Sequence, residues 1–185
     1  MRLVVFTEEQ SMQVTLEALL PRLGLAAEDY QIVTFDGVRD LERSLTRRLR
    51  RWQDPRARFL ILRDNDRGDC KRRKMRLQEL VDGSGNRLPA KIRIVVQELE
   101  AWFLGDITAL EQVGLLRSGR RPSVLRQDPE SHGKPMDVLR QFDRTYQKNL
   151  GAKRIAPNMR LDDNTCRSFH ATIKAIRELM ELDGA

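Results

Sequence analysis

Arg58-Phe59-Leu60-Ile61-Leu62-Arg63-Asp64-Asn65-Asp66-Arg67-Gly68-Asp69-Cys70 is the stretch on which the reading of this chain turns. Phe59 to Leu62 form a short unbroken apolar run, the pattern of a strand covered on both faces of a parallel sheet. The run then breaks into a polar turn carrying aspartates at 64, 66 and 69. Open α/β sheets bind ligands beyond the carboxyl ends of their strands, so an Asp64-x-Asp66 pair leaving such a strand is placed to hold a hard cation. Mg²⁺ suits the pair, because it takes oxygen ligands and is commonly held by one or two carboxylates plus substrate phosphate. A solvated loop whose aspartates cap the next helix explains the same residues, since Asp is a favoured N-cap. The pair needs a third acid from elsewhere in the chain.

Working outward, Leu3-Val4-Val5-Phe6 reads as a first buried strand, followed by Thr7-Glu8-Glu9-Gln10-Ser11. Ser11 is expected to cap a helix with Met12, Leu16, Leu19 and Leu20 inward, closed by Pro21 and Gly24. Tyr30 to Phe35 is a second strand, rich in β-branched and aromatic residues. Asp36 is expected to cap a helix with Val38, Leu41, Leu45, Leu49 and Trp52 on one stripe and Arg43, Arg47, Arg48, Arg50 and Arg51 on the others. Downstream of the acidic turn come a helix over about 70–81 and a Gly83-Ser84-Gly85-Asn86 turn. A fourth strand over 91–96 then leads into Gln97-Glu98-Leu99-Glu100-Ala101-Trp102. Strand and helix alternate four times, which predicts an α/β fold with a parallel four-stranded sheet and right-handed crossovers. Helices are expected over 106–116, 136–147 and 164–182, with an irregular loop over 117–133; Asn164 precedes a last helix that buries Phe169, Ile173, Ile176 and Met180. The expected organisation is an α/β domain over 1–106 and a helical C-terminal extension over 107–185 packed on it.

The chain's 185 residues suffice for a core, and a hydrophobic content of 40% argues against disorder. Its 34 Lys and Arg against 27 Asp and Glu give a net charge of +7, which favours a polyanionic partner, nucleic acid ahead of an anionic membrane. Cys70 and Cys166 are the two cysteines, so neither a disulfide framework nor a cysteine zinc site is expected. No signal-peptide pattern and no long apolar run is present, which predicts a cytoplasmic protein without a membrane span. The absence of GxSxG, HExxH and P-loop patterns argues against a serine hydrolase, a zinc protease and an autonomous NTPase.

Three acidic groups fall at strand ends: Glu8 after the first, Asp64 and Asp66 after the third, Glu98 or Glu100 after the fourth. In a doubly wound sheet of order 2-1-3 the ends of strands one and three are neighbours. Carboxylates gathered there repel one another by several kcal/mol unless a cation neutralises them. The next helix begins Lys71-Arg72-Arg73-Lys74-x-Arg76. Cations in a first turn oppose the helix dipole at about 0.3–1 kcal/mol each, so a phosphate-binding role for Lys71, Arg72 and Lys74 is expected. Offsetting by the neighbouring aspartates is the alternative.

Glu8-Glu9-Gln10-Ser11-Met12, Arg63-Asp64-Asn65-Asp66 with Asp69-Cys70, and Glu98-Leu99-Glu100-Ala101-Trp102 resemble motifs of the Toprim fold. They are similar in particular to an uncharacterised bacterial Toprim-like family related to the nuclease part of OLD-type proteins. Tyr146-Gln147-Lys148, Gly151-Ala152 and Ser168-Phe169 fit the same pattern, so the resemblance spans nearly the whole chain. It implies Mg²⁺ or Mn²⁺ held by Glu8, Asp64 and Asp66, with Glu100 as a further acid, and a nuclease that serves as a defence effector against phage or plasmid. Tyr146 and Lys148 are candidates for stabilising the leaving group, Lys148 also as a nucleic-acid contact, with DNA expected ahead of RNA as substrate. OLD-type systems couple Toprim to an ATPase, and this chain has no ATP-binding motif, so a separate ATPase subunit is an implied partner. The other reading is a catalytically silent Toprim-like module that binds nucleic acid or an ATPase. Glu9 stands where many Toprim proteins have glycine.

Overall fold

A computed structural model describes residues 1–119 and 121–181. The final residue of the helix expected over 164–182, and residues 120 and 182–185 of the expected extension, lie outside them. Four strands, β1 (Arg2–Thr7), β2 (Tyr30–Thr34), β3 (Ala57–Asp64) and β4 (Ala90–Val95), pair in parallel in the order β2-β1-β3-β4. Helices α1 (Gln10–Leu19), α2 (Gly37–Arg50) and α3 (Cys70–Asp82) make the crossovers. The expected parallel α/β sheet is present, and β1 and β3 lie side by side, Phe6 opposite Ile61.

Period-2 alternation explains how the sheet buries both faces. Leu3, Val5, Leu60, Leu62 and Val95 face one apolar layer, in which α1 packs through Met12, Leu16 and Leu19. Val4, Phe6, Phe59, Ile61 and Ile92 face the other, covered by Leu41, Leu45 and Leu49 of α2 and Leu77 and Val81 of α3. Trp52 lies beyond the end of α2 and still joins this layer, its ring edge-on to Phe6 and Phe59 at 6.1 and 5.4 Å.

The remaining helices, α4 (Glu100–Leu104), α5 (Ile107–Gln112), α6 (Pro135–Phe142), α7 (Lys148–Ile155) and α8 (Arg167–Glu181), add to the α1 layer. Trp102 is fully buried there, edge-on to Phe169 at 5.4 Å, and its indole N–H donates to Ser168 Oγ at 3.0 Å. Phe169, Ile173 and Ile176 are buried as the periodicity predicts.

Several local expectations are corrected. Glu9, extended at φ −130°, is the N-cap residue of α1, so Ser11 sits inside the first turn with its hydroxyl donating to Glu9 Oε2 at 3.1 Å. Asp36 occupies the N-cap position of α2 without a side-chain bond. Instead, the Asp40 carboxylate accepts from the Asp36 N–H at 3.3 Å. The last helix starts at Arg167; Asn164 is buried before it, its amide donating to the Trp102 carbonyl and its Oδ1 accepting from the Cys166 N–H, both at 2.8 Å. The helix expected over 106–116 is confined to α5, and the one expected over 136–147 ends at Phe142, where Asp143 turns extended. Helix α7 was not expected at all.

Candidate metal and phosphate site

Parallel topology brings the carboxyl ends of β1, β3 and β4 to one edge, and the chain leaves each of them with acids. Glu8 follows β1 directly, and its Oε1 accepts from the Asp64 N–H at the end of β3 at 2.8 Å. That bond stitches the neighbouring strand ends together. Asp64 and Glu8 are buried, and Glu100, in the first turn of α4, is fully buried.

Beyond Asp64 the turn is tight. Asn65 N–H donates to the Val95 carbonyl at 2.8 Å and Asp66 N–H to the Gln97 carbonyl at 3.0 Å. The turn after β3 is therefore tied to the turn after β4. Asp66, Arg67 and Gln97 take left-handed backbone angles (φ 43°, 62° and 66°), which cost non-glycine residues on the order of 1–3 kcal/mol each. Such strain persists where surrounding bonds over-determine it, and here the cross-turn bonds do so. Asp66 itself is exposed at the rim.

Electrostatics at this edge are lopsided. Burial pushes the Glu8 carboxyl up to about 7 against the Asp64 N–H bond that favours its charge, with Asp66 pushing it further up. Burial, with Glu9 and Glu8 close by, pushes Asp64 well above the usual carboxylate range, Lys148 opposing. Burial takes Glu100 to about 7 despite Lys148, and raises Glu98 as well. The Lys148 ammonium, opposed by burial, is held charged by Glu9, which it meets at 2.9 Å through both carboxylate oxygens. Burial and the Glu100 charge lift the Tyr146 phenol, whose hydroxyl donates to Glu100 Oε1 at 3.1 Å. Room for that ring comes from Gly151: a Cβ there would lie 2.2 Å from a Tyr146 ring carbon.

Among the described residues, Glu8 Oε2, Asp64 Oδ2 and Glu100 Oε2 are buried with no hydrogen-bond partner, as are Asn65 Oδ1 and Gln97 Oε1. Oxygen donors of this kind suit a hard divalent ion. Among the same residues no three His, Cys, Asp or Glu side chains are drawn into a ready-made metal group. The donor set fits an ion that keeps waters and shares its ligands with substrate phosphate.

Of the expected site residues, the fold thus brings Glu8, Asp64, Glu100 and Lys148 to one place and leaves Asp66 on its rim. Lys71, Arg72 and Lys74 are exposed on α3, and among the described residues their side chains make no ion pair with the acids. The Asp69 carboxylate caps α3 by accepting from the Lys71 and Arg72 N–H groups at 2.8 and 3.1 Å, which offsets their charge against the dipole. Sequence reasoning missed the role of Glu9. Its extended backbone does not need glycine, and its carboxylate meets a lysine 139 positions away, which no local spacing signals. It also missed Asn65 and Gln97; the positive φ of Gln97 leaves no mark in composition.

The sheet order and the crossovers give a parallel α/β fold of Toprim-like topology. The chain belongs to the family described as a domain of unknown function, DUF4276, whose model matches residues 7–177. Its structure resembles the C-terminal region of the OLD protein of Xanthomonas campestris pv. campestris, with a TM-score of 0.59 at 16% identity, covering 99% of this chain and 97% of that one. The C-terminal region of the Burkholderia pseudomallei OLD protein is similar to the same degree, with a TM-score of 0.60 at 14% identity over 96% and 97% of the two chains. At these identities the likeness is one of fold. No curated protein matches the chain. Among the described residues, no helix is long and apolar enough to cross a membrane.

Proposed function

We propose that this chain is a divalent-metal-dependent phosphodiesterase acting on nucleic acid. The observation that carries the reading is the set of buried carboxylates, Glu8, Asp64 and Glu100, each with one oxygen that no protein group satisfies. Mg²⁺ or Mn²⁺ would be held by Glu8 and Asp64, with Asp66 joining from the rim. A bound ion supplies Lewis-acid activation of water and neutralises charge developing on the phosphoryl oxygens.

The chain's own residues do the rest. The Asp64 N–H fixes the Glu8 carboxylate, so its second oxygen points away from the strand-end bond. Glu100, near 7 and bonded by Tyr146, would take a proton from an attacking water and release it, the range in which a general base works best. Lys148, held at the site by Glu9, supplies positive charge for the backbone phosphate or the departing oxygen. Lys71, Arg72 and Lys74 position phosphates along α3 without reading bases. A defence effector working with a separate ATPase subunit is the setting suggested by the OLD-type resemblance.

A catalytically silent, nucleic-acid- or ATPase-binding module is the second reading. It is favoured by Lys148, which already places a cation beside the acids. Cleavage of supercoiled, linear and single-stranded DNA in EDTA, Mg²⁺ and Mn²⁺ separates the two. The phosphodiesterase reading expects metal-dependent products that Asp64→Ala abolishes while melting stays cooperative. Undiminished cleavage by that variant would remove it.

A further inference from the structure

Net charge on this molecule is concentrated on one layer. Within α2 and α3, ten residues are basic and four acidic, so two helices carry +6 of the chain's +7. The contacts of α2 sort its faces. Leu41, Leu45 and Leu49 enter the core. Thr46 and Arg50 reach across to α3 and the turn after it, donating to the carbonyls of Leu80 and Gly83 at 2.9 and 3.1 Å, and Glu42 meets Arg76 at 3.6 Å. The face left to solvent carries Arg39, Arg43 and Arg47, continued by Arg51 just past the end of the helix, at successive four-residue steps, all exposed. Asp40 lies beside this stripe and pairs with Arg43 at 3.3 Å. Among the described residues Arg39, Arg47 and Arg51 make no ion pair.

The stripe is anchored at the acidic site. Gly37, the first residue of α2, donates its N–H to the carbonyl of Glu8 at 3.3 Å. From there α2 runs back along the sheet, so Arg39 lies near the acids and Arg51 near the opposite edge. Twelve residues at 1.5 Å each make a track of about 18 Å, which matches about five base pairs at 3.4 Å.

Resting on the nucleic-acid reading above, we propose that the outer face of α2, continued by Lys71 and Arg72 of α3, docks the sugar-phosphate backbone of a nucleic-acid duplex and holds it for about five base pairs to one side of the acidic site. A duplex fits better than a single strand. Single strands are bound by positive grooves with aromatic platforms for base stacking, and the exposed large apolar side chains among the described residues are Met75 and Leu150, neither aromatic. A membrane surface fits worse still, because interfacial helices insert their apolar face and that of α2 is spent in the core.

The test is binding of a 20-base-pair DNA duplex and of its single strand, in EDTA, by fluorescence anisotropy across a salt series. Wild type is compared with Arg39→Gln/Arg43→Gln/Arg47→Gln/Arg51→Gln and with a control of equal charge, Arg22→Gln/Lys153→Gln/Lys174→Gln/Arg177→Gln, in the other layer; melting curves verify folding of each. Losing four phosphate contacts lowers the log–log salt slope by about 3.6, so between 50 and 200 mM salt wild type loses roughly a hundredfold more affinity than the stripe variant. The control keeps the wild-type slope. Equal weakening in both variants, or an unchanged slope in the stripe variant, would overturn the docking face while leaving the nucleic-acid reading intact. Tighter binding of the single strand than of the duplex would overturn the choice of duplex. No binding by wild type would sink both readings.

Discussion

Glu8→Gln is the sharpest perturbation of the acidic edge, because it removes charge while keeping shape. The amide oxygen of glutamine can still accept from the Asp64 N–H, so the bond that joins β1 to β3 survives. What changes is the cost of ionising a buried carboxyl. Its pKa stands at about 7 against a usual 4.5. Each unit is worth about 1.36 kcal/mol, so charging Glu8 in the metal-free protein costs about 3 kcal/mol. The sign follows from proton counting: between pH 4.5 and 7 the native state binds the proton and the unfolded state does not, so wild-type stability falls as pH rises through this window. Below pH 4.5 both states are protonated and the variant gains nothing. Above pH 7 it gains the full amount. In EDTA at pH 8, Glu8→Gln should therefore melt higher than wild type by about 6–12 °C, at 2–4 °C per kcal/mol for a domain of this size, and the two should converge at pH 4. Urea unfolding at both pH values measures the difference independently. A variant less stable than wild type at pH 8, or a difference independent of pH, would refute the reasoning.

Gly151→Ala places a methyl 2.2 Å from the Tyr146 ring, and should destabilise by about 1–3 kcal/mol through overpacking, read in urea unfolding. Tyr146→Phe leaves Glu100 Oε1 without its donor and should cost about 1–3 kcal/mol; the double variant with Glu100→Gln should lose less than the two changes summed. Lys148→Met leaves Glu9 without its cation and removes positive charge facing Asp64 and Glu100. Its melting temperature in EDTA should fall, and millimolar Mn²⁺ should recover more of it than of wild type's. Ser168→Ala strands the buried Trp102 indole N–H and should cost about 1–2 kcal/mol with no change in metal response.

Why some of this was legible in the sequence and some was not has physical causes. Strands buried on both faces must be apolar throughout, so Phe59 to Leu62 announced β3 and the parallel sheet followed. Parallel order then puts Glu8 beside Asp64. Helix α7 escaped because its buried residues are Gly151, Ala152 and Ile155 while Leu150 is 60% exposed, so its apolar side chains do not sit on the buried face. Ser11 reads as a cap because serine hydroxyls favour that place, but the chain turns two residues earlier, at Glu9. The Glu9–Lys148 pair and the Tyr146–Glu100 bond join segments far apart in sequence, and local pattern carries no trace of them. The arginine stripe was visible as composition, yet only the contacts of α2 with α3 and the core tell which arginines face solvent.

The central claim, that these buried carboxylates form a cation site, is tested most directly by melting the protein in EDTA, Mg²⁺ and Mn²⁺ at pH 8, wild type beside Asp64→Ala. Metal at a hundredfold its dissociation constant stabilises by about 2.7 kcal/mol, a rise of roughly 5–11 °C for this size. The account predicts that rise in wild type and its loss in Asp64→Ala. An equal shift in both proteins, or none in wild type at millimolar metal, would contradict it.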